Sequence, residues 1–599
     1  MAKKYIDVMD TTFRDGFQSV FGGRVLMDDF FPAVEAAKDA GITHFEFGGG
    51  ARFQSLFFYL QENAFEMMDK FREIVGPDAN LQTLARGINT VMLDTGSREF
   101  IDLHAKMFAK HGTTTIRNFD ALNDVTNLEY SAECIKKYGL NHEVVVTLMD
   151  LPPGCTGAHD VPFYEKTLRN ILSSGLPFDS LCFKDASGTS SPQKVYETIK
   201  MARKLVGDEM HIRLHTHETA GVSVACYLAA LEAGADGIDL AASPVSGGTS
   251  QPDILTMLHA VKGKDFDLGG LETKKILKYQ EVLKDSLSEY FIPPEATQVS
   301  PLIPFSPMPG GALTANTQMM RDSGTLDKFP EVIKAMQEVV EKGGFGTSVT
   351  PVSQFYWQQA YANVMFGPWK QIAPGYGKMV LGYFGKTPVE PDSKIVALAS
   401  EKLKLKPTTQ NPLDIADKDE NKKISVWKKR LEEEGIETTE ENIFIAAACD
   451  EKGINFLKGD SPLNIRKNEN ENTQGENSMS NATGNYTVVV DGQKFNVSIA
   501  QGDADIQVTP VSSNNEVSSS NANTTSSGEE SEVPATVNGN VWKILVNVGD
   551  TVEEGQKIMI LEAMKMEIDI TAVASGKIKE IVVTPNESVE EGQVLALIG

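Results

Sequence analysis

Along the first 245 residues, short apolar segments rich in β-formers alternate with longer amphipathic ones. The β-like segments are 5–9, 43–47, 81–85, 114–119, 143–149, 180–183, 211–215 and 237–241. Each has the length and near-continuous apolar character of a strand buried on both faces. Between them, 30–40 and 223–233 carry apolar residues at the spacing of one helix face. Eight alternating βα units predict a (β/α)8 (TIM) barrel of the α/β class.

The pattern then changes. Residues 250–465 read as mostly helical, with charged periodic helices at 328–342 and 422–434, and Pro-rich loops at 301–309 and 366–388. This stretch is expected to extend and flank the barrel. Beyond Lys467, Asn, Glu, Ser, Thr and Gly dominate as far as Gly484. Segments 486–490 and 494–499 alternate around Asp491-Gly492, a hairpin signal. Residues 512–532 are Ser/Asn/Thr/Glu-rich and nearly free of apolar side chains, as expected of a flexible linker with an r.m.s. span of roughly 25 Å. The expected organisation is therefore 1–300 barrel, 301–465 helical extension, 466–511 polar segment with a hairpin, 512–532 linker and 533–599 a small all-β domain.

That last domain carries an internal repeat. Gly539, Val552 and Gly555 recur as Gly576, Val589 and Gly592, and Val552-Glu553-Glu554-Gly555-Gln556 returns as Val589-Glu590-Glu591-Gly592-Gln593. Two such halves predict a quasi-symmetric small barrel of short strands. At its centre stands Glu562-Ala563-Met564-Lys565-Met566-Glu567, which places Lys565 on the turn between the halves.

Charge and cysteine content narrow the function classes. A net charge of −26 argues against nucleic acid and against anionic membrane surfaces as partners. No run approaches the ~18 consecutive apolar residues of a membrane helix, and Asp7 interrupts the N-terminus before a signal-peptide core forms. Five scattered cysteines without a C-x-x-C pair suit unpaired thiols in a reducing cytoplasm.

The chemistry gathers at the C-terminal ends of the expected strands, where barrels of this type place catalytic groups. Asp10-Thr11-Thr12-Phe13-Arg14-Asp15-Gly16-Phe17-Gln18-Ser19 follows the first strand and Arg86-Gly87 the third. Lys184-Asp185 ends the sixth, His215-Thr216-His217 the seventh, and Val349-Thr350-Pro351 lies further on. His215 and His217, two apart on a strand, face one side and with Asp15 could hold a divalent metal. Read singly, Asp15 could instead cap a helix and Lys184 pair with Asp185.

These motifs carry a resemblance. D-T-T-x-R-D-x-x-Q-S, the G-G of E-F-G-G, R-G-x-N, K-D-x-x-G, H-T-H and V-T-P make residues 5–390 similar to the carboxyltransferase domain of the pyruvate carboxylase family. Oxaloacetate decarboxylase α subunits and the keto-acid subunit of transcarboxylase belong to the same family. Residues 533–599, with A-M-K-M, resemble the biotinyl (hammerhead) domain of biotin-dependent carboxylases. The resemblance implies that Lys565 carries biotin. It implies that Asp15, His215, His217 and a carbamylated Lys184 bind one divalent ion (Zn, Mn or Co). Arg86 would grip the keto-acid carboxylate, Arg14 and Gln18 would orient the keto oxygen, and Thr350 would shuttle a proton between pyruvate and biotin. The implied activity is transfer of CO2 from carboxybiotin to pyruvate, giving oxaloacetate.

Departures from the family pattern are Phe17 in place of His, Ala186-Ser187 in place of Met-Ala, Glu218 in place of Asp, and the run Gln354-Phe355-Tyr356-Trp357-Gln358. They bear on the identity of the keto acid and on the biotin-docking surface. No Gly-rich ATP site is visible, so the resemblance implies a separate ATP-dependent biotin carboxylase subunit, besides the biotin protein ligase that would modify Lys565. Ser246-Gly247-Gly248-Thr249-Ser250-Gln251-Pro252 is similar to the S-G-M-T-S-Q-P of pyruvate carboxylases. The leading expectation is the carboxyltransferase subunit of a two-subunit pyruvate carboxylase, a cytoplasmic homo-oligomer assembled through its barrel. The alternatives are the α subunit of a sodium-pumping oxaloacetate decarboxylase and a carboxylase of another 2-oxo acid such as 2-oxoglutarate.

Overall fold

Eight parallel strands close on themselves in a computed structural model that describes residues 3–468, 484–490, 493–499, 531–537, 539–563, 566–585, 587–590 and 592–599. They are β1 (Lys4–Asp10), β2 (His44–Gly49), β3 (Asn80–Ala85), β4 (Thr115–Asn118), β5 (Asn141–Thr147), β6 (Ser180–Asp185), β7 (His211–Thr216) and β8 (Gly237–Leu240). Each pairs with the next, and β1 pairs with both β2 and β8, so the expected (β/α)8 barrel is closed. Closure leaves these strands without a free edge and buries both faces, which is why they are so uniformly apolar. The expected helices are present as Met27–Asp39 and Ser223–Ala233. Asn63, Ser97, Asp160 and Ser191 cap others by accepting backbone N–H groups of the first turn. A ninth strand, Phe266–Leu268, pairs with Lys4–Ile6 of β1; three residues are too few to show alternation in the sequence.

The lumen is not wholly apolar. Arg117, Glu143, Arg213 and Asp239, all buried, form a closed ion-pair ring across β4, β5, β7 and β8. Arg117 reaches Glu143 and Asp239 at 2.5 Å, and Arg213 reaches Asp239 at 3.0 Å. Each charge has its opposite beside it, as burial demands.

The glycines of Glu46-Phe47-Gly48-Gly49 have a steric reason. Gly49 ends β2 with φ 83° and ψ −172°, a conformation open essentially to glycine alone. A Cβ there would lie 2.4 Å from Leu84 O on the adjacent strand. Gly49→Ala is expected to cost about 3 kcal/mol or more, from strain plus overpacking. Thermal melts of the two proteins check this; coincident melts would show that β2 and β3 can separate freely.

Beyond the barrel the chain is helical, as expected. Helices Gly310–Asp322, Phe329–Lys342, Val352–Phe366, Ser393–Leu403 and Ile424–Glu433 lead to Glu440–Lys458, which is kinked at Asp450. Eleven of the fifteen residues of Val352–Phe366 are buried, which makes it the core helix of this extension. Phe444 of the last helix packs among Phe53, Phe65, Phe100 and Phe108 and fixes the extension to the barrel wall. One expectation needs correction: 366–388 is not all loop, because Pro374–Val380 is helical. Pro374 suits a first helical position. Gly375 and Gly377, which look like breakers, serve packing instead, since a Cβ on either would lie 2.3 Å from the Phe355 ring or 2.4 Å from Leu403.

The C-terminal domain realises its repeat in three dimensions. One sheet orders Ser531–Pro534, Val594–Ile598, Gly576–Ile581 and Thr551–Val552; the other orders Met566–Thr571, Lys557–Ala563, Gly539–Ile544 and Ser588–Val589. A shift of about one repeat carries each strand of one sheet onto a strand of the other. The first strand takes the last two residues of the segment expected as linker. Lys565 lies outside the described residues, between Ala563 and Met566, which pair across the ends of their strands. Strands Gly484–Val490 and Gln493–Ile499 pair as the expected hairpin, Val490 opposite Gln493. Most of the expected polar segment before the hairpin (469–483) and of the linker (up to 530) is outside the described residues.

Candidate active site

β1 ends in Asp10, whose buried carboxyl accepts from Thr12 N at 2.9 Å and from Tyr279 Oη at 2.7 Å. Burial pushes its acid up to about 6 in spite of these bonds. Held at that point, the chain makes one wide helical turn, Thr12–Gly16, which delivers Arg14 and Asp15 to the mouth of the barrel.

There a cleft is lined by Arg14, Asp15, Gln18, Arg86, Lys184, His217 and Thr350, with Leu84, Phe119, Ala186 and Val349 as apolar walls. The cleft thus gathers the candidate residues of the barrel apart from His215, which is buried beside it. Asp15 Oδ2 lies 3.3 Å from both His215 Nε2 and His217 Nε2. Lys184 Nζ lies 2.8 Å from His215 Nε2 and 3.8 Å from Asp15 Oδ2. Neither single-residue alternative holds: Lys184 faces this cluster while Asp185 accepts from Ser187, Gly188 and Ser190, and the helix Phe17–Phe21 starts at Gly16 without a side-chain cap from Asp15.

The far sides of the imidazoles decide their protons. His215 Nδ1 meets Asp239 Oδ2 at 2.7 Å and His217 Nδ1 meets Thr249 O at 2.7 Å. Both partners accept only, so in the neutral imidazole Nδ1 carries the proton and Nε2 is the nitrogen left to ligate. Two lone pairs and a carboxylate oxygen therefore converge on one point. Asp15, His215 and His217 are the group among the described residues whose ligand atoms could together hold a metal ion, all within 4.8 Å. The donor set fits a divalent cation.

The surroundings favour metal-binding protonation states. Burial disfavours a charged Asp15, but the Arg14 guanidinium beside it holds its carboxyl well below the usual range. Burial lowers Lys184 despite Asp15, and burial with the Lys184 charge lowers His215. An uncharged amine is what could take up CO2 as a carbamate.

Around this centre the cations differ in their partners. Arg14 pairs with Glu46 at 2.6 Å and Asp15 at 3.2 Å. The Gln18 oxygen is held by Arg14 Nη1 and by the N–H groups of Ala51 and Arg52, which leaves its N–H groups for a ligand. Arg86 is buried, donates through Nη1 to Val91 O and Met92 O, and has no carboxylate within 4.0 Å among the described residues. Burial, then Arg14, push its guanidinium down to about 9.

Glu46, Asp239 and Gln251 belong to this site and are not among the sequence candidates. A charged residue inside an otherwise apolar strand was the available signal for Glu46 and Asp239. Asp239 holds the metal-facing geometry of His215 from behind. Asp239→Asn is expected to weaken divalent-metal binding about 10–100-fold. Metal content by mass spectrometry and a chelator competition measure it; full retention would show that His215 needs no carboxylate behind it.

Known proteins share both the sequence pattern and the fold. The Conserved carboxylase domain model matches residues 303–507, the Biotin-requiring enzyme model 530–598 and the HMGL-like model 166–282. A pyruvate carboxylase subunit of Methanocaldococcus jannaschii is 30% identical over 94% of each chain. The 2-oxoglutarate carboxylase large subunit of Hydrogenobacter thermophilus is 28% identical over 95% of this chain and 91% of its own. The carboxyl transferase domain of Rhizobium etli pyruvate carboxylase, solved with pyruvate and biocytin, shares the fold, with a TM-score of 0.69 at 24% identity over 76% of this chain and 78% of that one. The chain belongs to the biotin-dependent carboxyltransferases, in the pyruvate carboxylase family. No helix among the described residues is long and apolar enough to cross a membrane.

Proposed function

We propose that the chain carboxylates pyruvate to oxaloacetate, as the carboxyltransferase subunit of a two-subunit pyruvate carboxylase. The observation that carries the substrate is Arg86, a buried guanidinium in the cleft without a carboxylate partner among the described residues. Such a cation is completed by a bound carboxylate, for which its fork is shaped. Arg14 and Lys184, the other cations of the cleft, already face Glu46 and Asp15. A single cation open to a ligand in this cleft, among the described residues, matches a monocarboxylate such as pyruvate better than 2-oxoglutarate, whose second carboxylate would lack a partner.

The residues divide the work. Arg86 binds the carboxylate of pyruvate, while Arg14 and the Gln18 amide hold its keto oxygen. Thr350, on the cleft wall, would relay a proton from the methyl carbon of pyruvate to biotin through its hydroxyl. Asp15, His215, His217 and Lys184, the last as a carbamate, hold a divalent ion that would act as Lewis acid on the keto oxygen as charge develops there. Biotin on Lys565 would bring the carboxyl group from the partner subunit. We take 1–300 as barrel, 301–465 as its extension, 466–511 as the hairpin segment, 512–532 as tether and 533–599 as carrier. Modification by a biotin protein ligase, a cytoplasmic location and homo-oligomers through the barrel belong to the same reading.

Two measurements test it. A pull-down of the biotinylated chain from its native extract should bring down a soluble ATP-dependent biotin carboxylase; polytopic membrane subunits in its place would make the chain part of a sodium-pumping decarboxylase. With that partner, bicarbonate fixation should favour pyruvate over 2-oxoglutarate by about 100-fold or more. The opposite preference would overturn the substrate.

A further inference from the structure

Gln251 stands inside the metal cluster, fully buried. One end of its carboxamide, assigned as nitrogen, lies 3.2 Å from Asp15 Oδ2 and 3.1 Å from His217 Nε2. The other end, assigned as oxygen, lies 2.7 Å from Thr11 Oγ1 and 3.3 Å from Ser250 Oγ. The two ends have the same shape, and hydrogen bonds tell them apart.

The Thr11 hydroxyl can serve either orientation. It has one proton, and Leu240 O lies 2.9 Å away as a second acceptor. With the Gln251 oxygen toward Thr11, the hydroxyl donates to it, Leu240 O keeps the Thr11 N–H at 2.9 Å, and the amide nitrogen donates to Asp15 and His217, which suits the metal-free site. With the nitrogen toward Thr11, the amide donates to Thr11 Oγ1 and Ser250 Oγ, and Thr11 passes its proton to Leu240 O. Thr11 and Ser250 are then satisfied, and the Gln251 oxygen takes a bound cation as its partner.

This orientation turns the Gln251 oxygen toward Asp15 Oδ2 and His217 Nε2. The proton of His217 is engaged with Thr249 O. With a neutral imidazole, three electron-rich atoms then meet with no proton between them, an arrangement that a bound cation completes. The spacing agrees: donors bound at about 2.0–2.2 Å to one ion lie about 3.0–3.4 Å apart. The contacts among Gln251, Asp15, His215 and His217 are 3.1, 3.2, 3.3 and 3.3 Å.

We propose that the Gln251 side-chain oxygen is a further protein donor to the metal, beside Asp15, His215 and His217. The run Ser246–Pro252, which resembles pyruvate carboxylases in sequence, thereby contributes a residue to the metal itself. The proposal rests on the reading of Asp15, His215 and His217 as metal ligands.

Co2+ titration of the full chain, followed by visible absorption, separates the two. Wild type should bind one Co2+ and His217→Ala should lose it; a wild type that binds none at this site overturns both ideas. Gln251→Ala should bind Co2+ about 10-fold or more weakly, with an altered spectrum. Gln251→Glu, which returns an oxygen to the same place, should bind at least as tightly as wild type. Melting curves of the metal-free proteins report folding. Wild-type affinity and spectrum in a folded Gln251→Ala would overturn the proposal. If that variant does not fold, Gln251→Glu decides: a 10-fold loss of Co2+ affinity in the folded protein would overturn it equally.

Discussion

Arg86→Gln is expected to lower kcat/KM for pyruvate by about thirty-fold to a few thousand-fold and to leave metal content unchanged. Removing one partner of a buried, hydrogen-bonded charge pair costs about 2–5 kcal/mol, because the other charge stays buried and unpaired. Here the stranded partner is the substrate carboxylate, in a cleft whose other cations are already engaged with Glu46 and Asp15. The loss should fall mainly on KM, since the carboxylate binds alike before and during the reaction. Arg86→Lys should recover only part, because an ammonium cannot give the two parallel bonds of a guanidinium. Steady-state kinetics over a range of pyruvate concentrations read both variants. An unchanged KM in Arg86→Gln would show that the carboxylate binds elsewhere and would remove the argument for a monocarboxylate.

The barrel was legible because its physics is periodic. Strands buried on both faces must be apolar throughout, and eight such segments with helical stretches between them stand out. The segments at 5–9, 180–183 and 211–215 fall inside β1, β6 and β7. Motifs at strand ends were legible for the same reason, since topology brings those ends to one mouth. What stayed hidden depends on contacts between segments distant in sequence. Gln251 gave no sign of lying against Asp15, because the two follow β8 and β1, which only the closing of the barrel brings side by side across 236 residues of sequence. The ring of Arg117, Glu143, Arg213 and Asp239 is visible only once four strands are side by side. The helix Pro374–Val380 was masked by its own glycines, chosen for close approach to Phe355 and Leu403 rather than for a turn.

Lys565→Arg should abolish biotin incorporation and reduce ATP-dependent carboxylation of pyruvate by about a thousand-fold or more, while the barrel keeps its own chemistry. Arginine preserves the charge but offers no amine for the amide bond to biotin. Carrier and barrel share one chain, so biotin on Lys565 would act at an effective concentration of order mM whatever the protein concentration. Free biotin lacks that advantage and must be supplied at mM levels to replace it. The variant should therefore still decarboxylate oxaloacetate when free biotin is added at such levels, at wild-type rate per barrel. A streptavidin blot, the coupled carboxylation assay and the free-biotin assay together separate the possibilities. If the blot stays positive, the modified lysine is another one. If the blot is negative and the free-biotin reaction also fails, then Lys565 matters to the barrel as well as to the carrier, and the two halves of this chain are not the separable machines that their folds suggest.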